Sequence, residues 1–144
     1  MCQEKPFATQ SSKALIILCC SCQTPLRDFV DNKGKDVALA PHQAYGAYDS
    51  RVLTQRTLSI VANHSLMESL YVYLAFHNVH GPTEAPEETI SRLSHIRYDR
   101  RRVADAMLTE LDYGVGNVTD LMKRRGMWES SLVIFHTDNV RACI

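Results

Sequence analysis

No segment of this chain reaches the ~20 consecutive apolar residues that a helix needs to cross a bilayer, so a membrane span is not expected. Neither charge is in excess: 16 basic and 16 acidic residues balance. Nucleic acid is therefore not an expected partner, because its binding rests first on a basic surface. No cysteine lies between residues 23 and 142, so the central core does not depend on disulfides. No C-x-x-C pair has a second pair to match it, which argues against a structural zinc site. Internal repeats and low-complexity tracts are absent, so a repeat architecture is not in view.

What is present suits one small domain, or a piece of a larger one: 144 residues, 45% of them hydrophobic. The five cysteines sit at the ends, as Cys2, Cys19, Cys20, Cys22 and Cys143, and the odd count leaves one thiol unpaired under oxidising conditions. The apolar run from Ala14 to Cys20 follows Lys13. It reads either as the core of a signal peptide or as a buried strand; its short length and long polar lead favour the strand. Two sequons, Asn63-His64-Ser65 and Asn117-Val118-Thr119, mark Asn63 and Asn117 as candidate glycosylation sites and point toward a secretory route.

Residues 1–47 read as an irregular segment, broken by Pro6, Pro25, Gly34, Pro41 and Gly46 and expected to be foreign to the fold that follows; residues 48–144 carry the periodic patterns. Asp49 or Ser50 caps a helix running to about Asn63, with Val52, Leu53, Leu58, Ile60 and Val61 as its apolar members. Residues 71–76, Tyr-Val-Tyr-Leu-Ala-Phe, read as a strand buried on both faces. Pro86-Glu87-Glu88 is a helix start, with proline in the first turn and acids at the positive end of the dipole. A long helix spans about Asp99 to Arg125, where Val103, Met107, Leu111, Val115, Val118 and Met122 recur at three- and four-residue steps. Gly126 is its C′ residue, and Gly114 and Gly116 allow close packing. The basic residues at its two ends, Arg97 to Arg102 and Lys123 to Arg125, read as a solvated face and a dipole-matched last turn. Leu132-Val133-Ile134-Phe135 is a second strand.

Two apolar runs separated by a helical pattern predict a βαβ unit with parallel strands. Polar residues follow both strands: His77-Asn78-Val79-His80-Gly81-Pro82 after the first, and His136-Thr137-Asp138-Asn139 after the second. In open α/β sheets ligands bind beyond the carboxyl ends of the strands, so His80 and the Asp138-Asn139 pair are expected on one rim. Asp138 and Asn139 offer hard oxygen donors of the kind calcium or magnesium takes, but two donors cannot fill six positions. His80 has the chemistry to donate a proton or bind an anion. His77 and His80 alone do not make a zinc site. His136 reads as a packed, hydrogen-bonded histidine.

Several of these segments resemble, in order, the middle of a type I sulfatase of the arylsulfatase B branch. They are Leu53-Thr54-Gln55-Arg56 with Ile60-Val61-Ala62-Asn63-His64, then Tyr73-Leu74-Ala75-Phe76, then Val79-His80-Gly81-Pro82 with Ala85-Pro86-Glu87-Glu88. Leu111-Asp112-Tyr113-Gly114-Val115-Gly116-Asn117-Val118 and Gly126-Met127-Trp128 follow, and the strand leading into Asp138-Asn139 closes the series. The resemblance implies an alkaline-phosphatase-like α/β fold, here a partial, mostly parallel sheet flanked by helices. It implies hydrolysis of sulfate esters, such as sulfated sugars or aryl sulfates, by a formylglycine made from cysteine. It implies calcium as cofactor, with Asp138 and Asn139 among its ligands, and His80 as the residue that contacts the sulfate and helps protonate the leaving oxygen. A lysosomal or secreted location goes with it.

The chain departs from that pattern in several places. The C-x-P-x-R nucleophile motif is absent; Cys22-Gln23-Thr24-Pro25-Leu26-Arg27 has one residue too many and is read as coincidence. The paired N-terminal aspartates of the metal site are missing, and Val140-Arg141 replaces the family's Gly-Gly after Asp-Asn. The expectation is therefore a truncated or degenerate sulfatase that does not turn over substrate. The alternative is a non-catalytic secreted binding protein, or pseudoenzyme, that keeps part of the sulfate and metal site.

Overall fold

The computed structural model describes residues 14–20, 30–33 and 36–39 by their backbone, and residues 47–137 with their side chains. Five strands and three α-helices are seen among them. Strand β1 is Ala14–Cys20, and β2 (Val30–Lys33) and β3 (Asp36–Leu39) pair antiparallel as a two-stranded sheet. Helix α1 (Asp49–Asn63) precedes β4 (Leu70–Phe76). Helices α2 (Glu87–Arg92) and α3 (Asp99–Arg124) lead through a 3-10 turn at Trp128–Ser130 to β5 (Ser131–Thr137).

The expected parallel pair lies in one sheet, with β1 inserted between its members: the order is β4-β1-β5, all parallel. The Ala14–Cys20 run is thus a strand. Its last residue, Cys20, is in register with Phe76 on one side and Thr137 on the other. All three strands therefore end on the same rim, and the polar segments after β4 and β5 leave from one edge of the sheet.

The core sits on one face. Val61, Leu74, Phe76, Leu111, Val118, Met122 and Met127 form a single buried cluster under α1 and α3. Full burial of a side chain the size of Phe76 contributes roughly 1.5–3 kcal/mol. The expectation that β4 is covered on both faces is corrected here. Leu74 and Phe76 are buried, whereas Tyr71 and Tyr73 are 63% and 54% exposed. The same face continues across the sheet to Leu132 and Ile134, which share register rows with those tyrosines through Leu15 and Ile17 and are also exposed. Both helices lie on the opposite side, so β4 alternates although its sequence is apolar throughout.

Helix α1 buries Ser50, Thr54, Thr57 and Val61, at steps of four, three and four; of its other apolar members, Leu53 and Leu58 pack in part against the core and Ile60 is exposed. The two threonine hydroxyls donate back to their own helix, Thr54 Oγ1 to the Ser50 carbonyl at 2.7 Å and Thr57 Oγ1 to the Leu53 carbonyl at 2.9 Å. Satisfied in this way, small hydroxyl residues can be buried where bulk does not fit. Gly114 on α3 faces them: a Cβ there would stand 2.6 Å from Thr54 Oγ1 and 3.0 Å from Phe76 Cζ. Gly114 therefore permits the close packing expected of it. Gly116 meets nothing within 4 Å and plays no such part. Gly126, with φ of +69°, ends α3 as the sequence predicts.

Candidate functional site at the strand-end rim

The loop at residues 77–86 carries the candidate histidine, and it is pinned at both ends. At its start, Asn78 is 1% exposed. Its Oδ1 accepts from the Ser50 hydroxyl at the first turn of α1. Its amide nitrogen donates to the Tyr48 hydroxyl at 3.1 Å and to the Met107 carbonyl of α3 at 2.7 Å. One amide thus ties the end of β4 to both helices. Burial pushes the Tyr48 hydroxyl up to about 12, with the Asn78 bond working the other way.

His77, beside it, donates from Nδ1 to Asp49 Oδ2 at 2.7 Å. The other oxygen of Asp49 accepts from the Ser50 backbone N–H at 2.7 Å; the expected cap by Asp49 or Ser50 is corrected here, since Tyr48 is the N-cap of α1 and Asp49 is an acid in its first turn. His77 is therefore half of an Asp–His pair.

At the far end of the loop, α2 is locked down by charge. Arg51 spans Glu110 with Nε and Nη2, each at 2.7 Å, and reaches Glu88 with Nη1 at 2.7 Å. The Thr89 hydroxyl, itself buried, donates to Glu110 Oε1. The Glu110 side chain is 2% exposed. The Arg51 guanidinium holds the Glu110 carboxyl below the usual range, against the pull of burial, and the Thr89 bond adds to it. Arg51 also lowers Glu88, and both acids raise Arg51.

Between these anchors the chain is open to solvent. Val79, His80, Gly81 and Pro82 are exposed. The peptide bonds Asn78–Val79 and Gly81–Pro82 are cis. His80 Nδ1 donates to the Gly81 carbonyl at 2.7 Å, which fixes that nitrogen as the protonated one. The site's described part is therefore an imidazole on a short exposed loop, held from behind by buried polar groups.

The structure places His80 after β4 at the rim where β5 also ends. Asp138 and Asn139, the expected metal ligands, lie outside the described residues, as do Cys2, Cys22 and Cys143. Among the described residues, no group of three or more His, Cys, Asp or Glu is placed to hold a metal ion. His136 is exposed rather than packed. Asn63 and Asn117 are both exposed; the Asn63 amide donates to the Ser59 carbonyl at 2.8 Å, and Asn117 stands in the middle of α3.

Sequence reasoning missed the roles of Tyr48, Asp49, Ser50, Arg51, Asn78, Thr89 and Glu110. The one available signal was polarity at helix positions that the packing buries. Glu110 falls beside Leu111 on the apolar face of α3, and Ser50 falls on the α1 face shared with Val61.

Comparison with known proteins agrees with this architecture. The family described as Sulfatase matches residues 13–143. Arylsulfatase J of Mus musculus is 39% identical over 95 residues, covering 65% of this chain and 16% of that protein. The crystal structure of Ps i-CgsB aligns with a TM-score of 0.60 at 24% identity, over 64% of this chain and 21% of that one. The same protein in complex with k-i-k-neocarrahexaose aligns with a TM-score of 0.59. These structural likenesses bear on the fold, which is the partial alkaline-phosphatase-like α/β architecture expected. The chain belongs to the sulfatase family and is arylsulfatase-like. It spans about a sixth of the length of the curated relative it matches. No helix among the described residues is long and apolar enough to cross a membrane.

Proposed function

We propose that this chain is the central portion of an arylsulfatase-type sulfuric ester hydrolase, and that by itself it binds sulfate without hydrolysing its esters. The observation that carries the reading is the convergence of β4 and β5 on one rim, within a sequence that matches the sulfatase family over residues 13–143. His80 contacts the sulfate group of an aryl sulfate or sulfated sugar, and its imidazole has the chemistry to protonate a leaving oxygen. Asp138 and Asn139 supply two of the oxygen donors of a calcium site. Because calcium takes six to eight oxygens, two adjacent donors hold it weakly. Without a C-x-P-x-R motif the chain makes no formylglycine, so no sulfated intermediate forms. Residues 48–144 make up most of a partial catalytic domain, and the segment before them, expected to be irregular and foreign to the fold, instead contributes its central strand Ala14–Cys20. Glycosylation at Asn63 and Asn117 and a lysosomal or secreted location complete the proposal.

The missing nucleophile also supports a second reading, in which the chain is a secreted pseudoenzyme that grips a sulfated sugar. Calorimetric titration of the chain with a sulfated oligosaccharide and its desulfated counterpart separates the two. Micromolar affinity for the sulfated sugar, with no hydrolysis, favours the binding protein. Weak sulfate affinity that depends on His80 favours the enzyme fragment. Equal binding of both sugars, unchanged in His80→Ala, contradicts both.

A further inference from the structure

We propose that Asn78 is the positioning residue of this site: its buried amide sets where His80 stands by bolting the start of the loop to α1 and α3. The inference rests on the reading of His80 as the sulfate contact.

Three features of the geometry carry it. First, Asn78 sits two residues before His80 and is nearly inaccessible, so it cannot be a ligand-contacting group itself. Second, its hydrogen-bonding capacity is taken up by fixed partners: the Ser50 hydroxyl on Oδ1, and the Tyr48 hydroxyl and Met107 carbonyl on the amide nitrogen. Those partners come from the start of α1 and the middle of α3, elements that pack on each other through Gly114 and Thr54. Third, the far end of the loop is fixed independently, where Thr89 of α2 and Arg51 of α1 both bond Glu110 of α3. A short exposed segment anchored at both ends to the same two helices has little freedom. Removing one anchor lets the segment between them move. An apolar replacement at 78 breaks the start only, and leaves the Arg51–Glu110 lock in place.

The position needs an acceptor and a two-proton donor on one planar group, which the asparagine amide supplies. Aspartate keeps the acceptor for Ser50 but cannot donate to the Met107 carbonyl. It would also bury a charge there.

The test uses the full 144-residue chain with labelled histidine rings, and inorganic sulfate as the probe. Four proteins are compared: the parent, Asn78→Ala, His80→Ala, and Met127→Ala as a stability control. Met127 is a core residue at the other end of α3, and its loss lowers Tm without touching the loop. The expected result is that Asn78→Ala shifts or broadens the His80 ring signals and weakens sulfate binding by about tenfold, the loss of roughly one charge-assisted hydrogen bond. Met127→Ala lowers Tm at least as far and leaves the His80 signals where they were. If Asn78→Ala leaves the His80 signals unchanged, or if Met127→Ala moves them equally, Asn78 is only a structural residue and the proposal fails. If the parent binds no sulfate but the His80 signals still respond to Asn78→Ala alone, the positioning role stands and the sulfate-contact reading of His80 falls.

Discussion

Arg51 and Glu110 meet fork to fork: Nε and Nη2 of the guanidinium each lie 2.7 Å from one carboxylate oxygen, across 59 positions of sequence. The acid is buried and the arginine half exposed. Breaking this pair from the arginine side strands a buried charge. Arg51→Ala is expected to destabilise the fold by about 2 kcal/mol, less than the about 3–5 kcal/mol of a fully buried pair because water still reaches Arg51. Glu110→Gln, which keeps the acceptor for Thr89 and removes the charge, is expected to cost less. Urea unfolding of both variants checks the order, and a milder Arg51→Ala than Glu110→Gln would contradict it.

The same pair sets an acid limit on stability. The Glu110 carboxyl is held below its ordinary range in the folded chain, principally by Arg51. In the unfolded chain a glutamate titrates near about 4.3. The unfolded state therefore takes up the proton first as pH falls. The contribution is complete above that value and disappears as pH drops through the lower folded one. Thermal unfolding from pH 7 down to pH 3 is expected to show a falling Tm that is shallower in Glu110→Gln. An identical slope in the two proteins would mean that Glu110 is not a source of it.

The two glycines of α3 are expected to respond in opposite directions. Gly114→Val drives a side chain into Thr54 and Phe76 and is expected to destabilise by about 1–3 kcal/mol. Gly116→Ala meets open space in a helix interior and is expected to stabilise by up to about 1 kcal/mol. Denaturation midpoints decide this, and a Gly114→Val variant as stable as the parent would rule out the close α1–α3 approach.

The uncovered sheet face makes a fourth prediction. Tyr73 and Ile134 are exposed on a contiguous apolar strip. Such a strip favours association. Lysine at Tyr73 is expected to raise the soluble, monomeric fraction in light scattering with little change in Tm. A drop in Tm of the size seen for a core variant would show that the face is covered in solution.

How far the sequence could be read depended on what kind of signal each element carries. α3 was legible because its apolar residues repeat from Val103 to Met122, over about five turns, and the same repeat located its buried face. The rim was legible because two strands with a helix between them admit few arrangements, and parallel pairing then puts both carboxyl ends together. The insertion of β1 between β4 and β5 was not legible, since strand order across a sheet leaves no periodic trace. The hydroxyl residues buried on α1 were not legible, because threonines that bond their own backbone look polar in sequence and behave as small core residues in the fold. The tyrosines of β4 were misread for the opposite reason: strand-forming residues were taken as buried, and only the placement of the helices shows that one face is bare. The anchors of the His80 loop were invisible because each depends on a contact 21 to 59 positions away.

The proposed function gives this chain the sulfate-contacting part of a sulfatase without the means to turn substrate over. Its most direct test is the hydrolysis of an aryl sulfate by the purified 144-residue chain, with and without millimolar calcium. The account predicts no product above the buffer rate in either condition, because the nucleophile and much of the metal site act as one unit and neither is complete in the sequence. Turnover that chelation of calcium abolishes, and that His80→Ala removes, would contradict it.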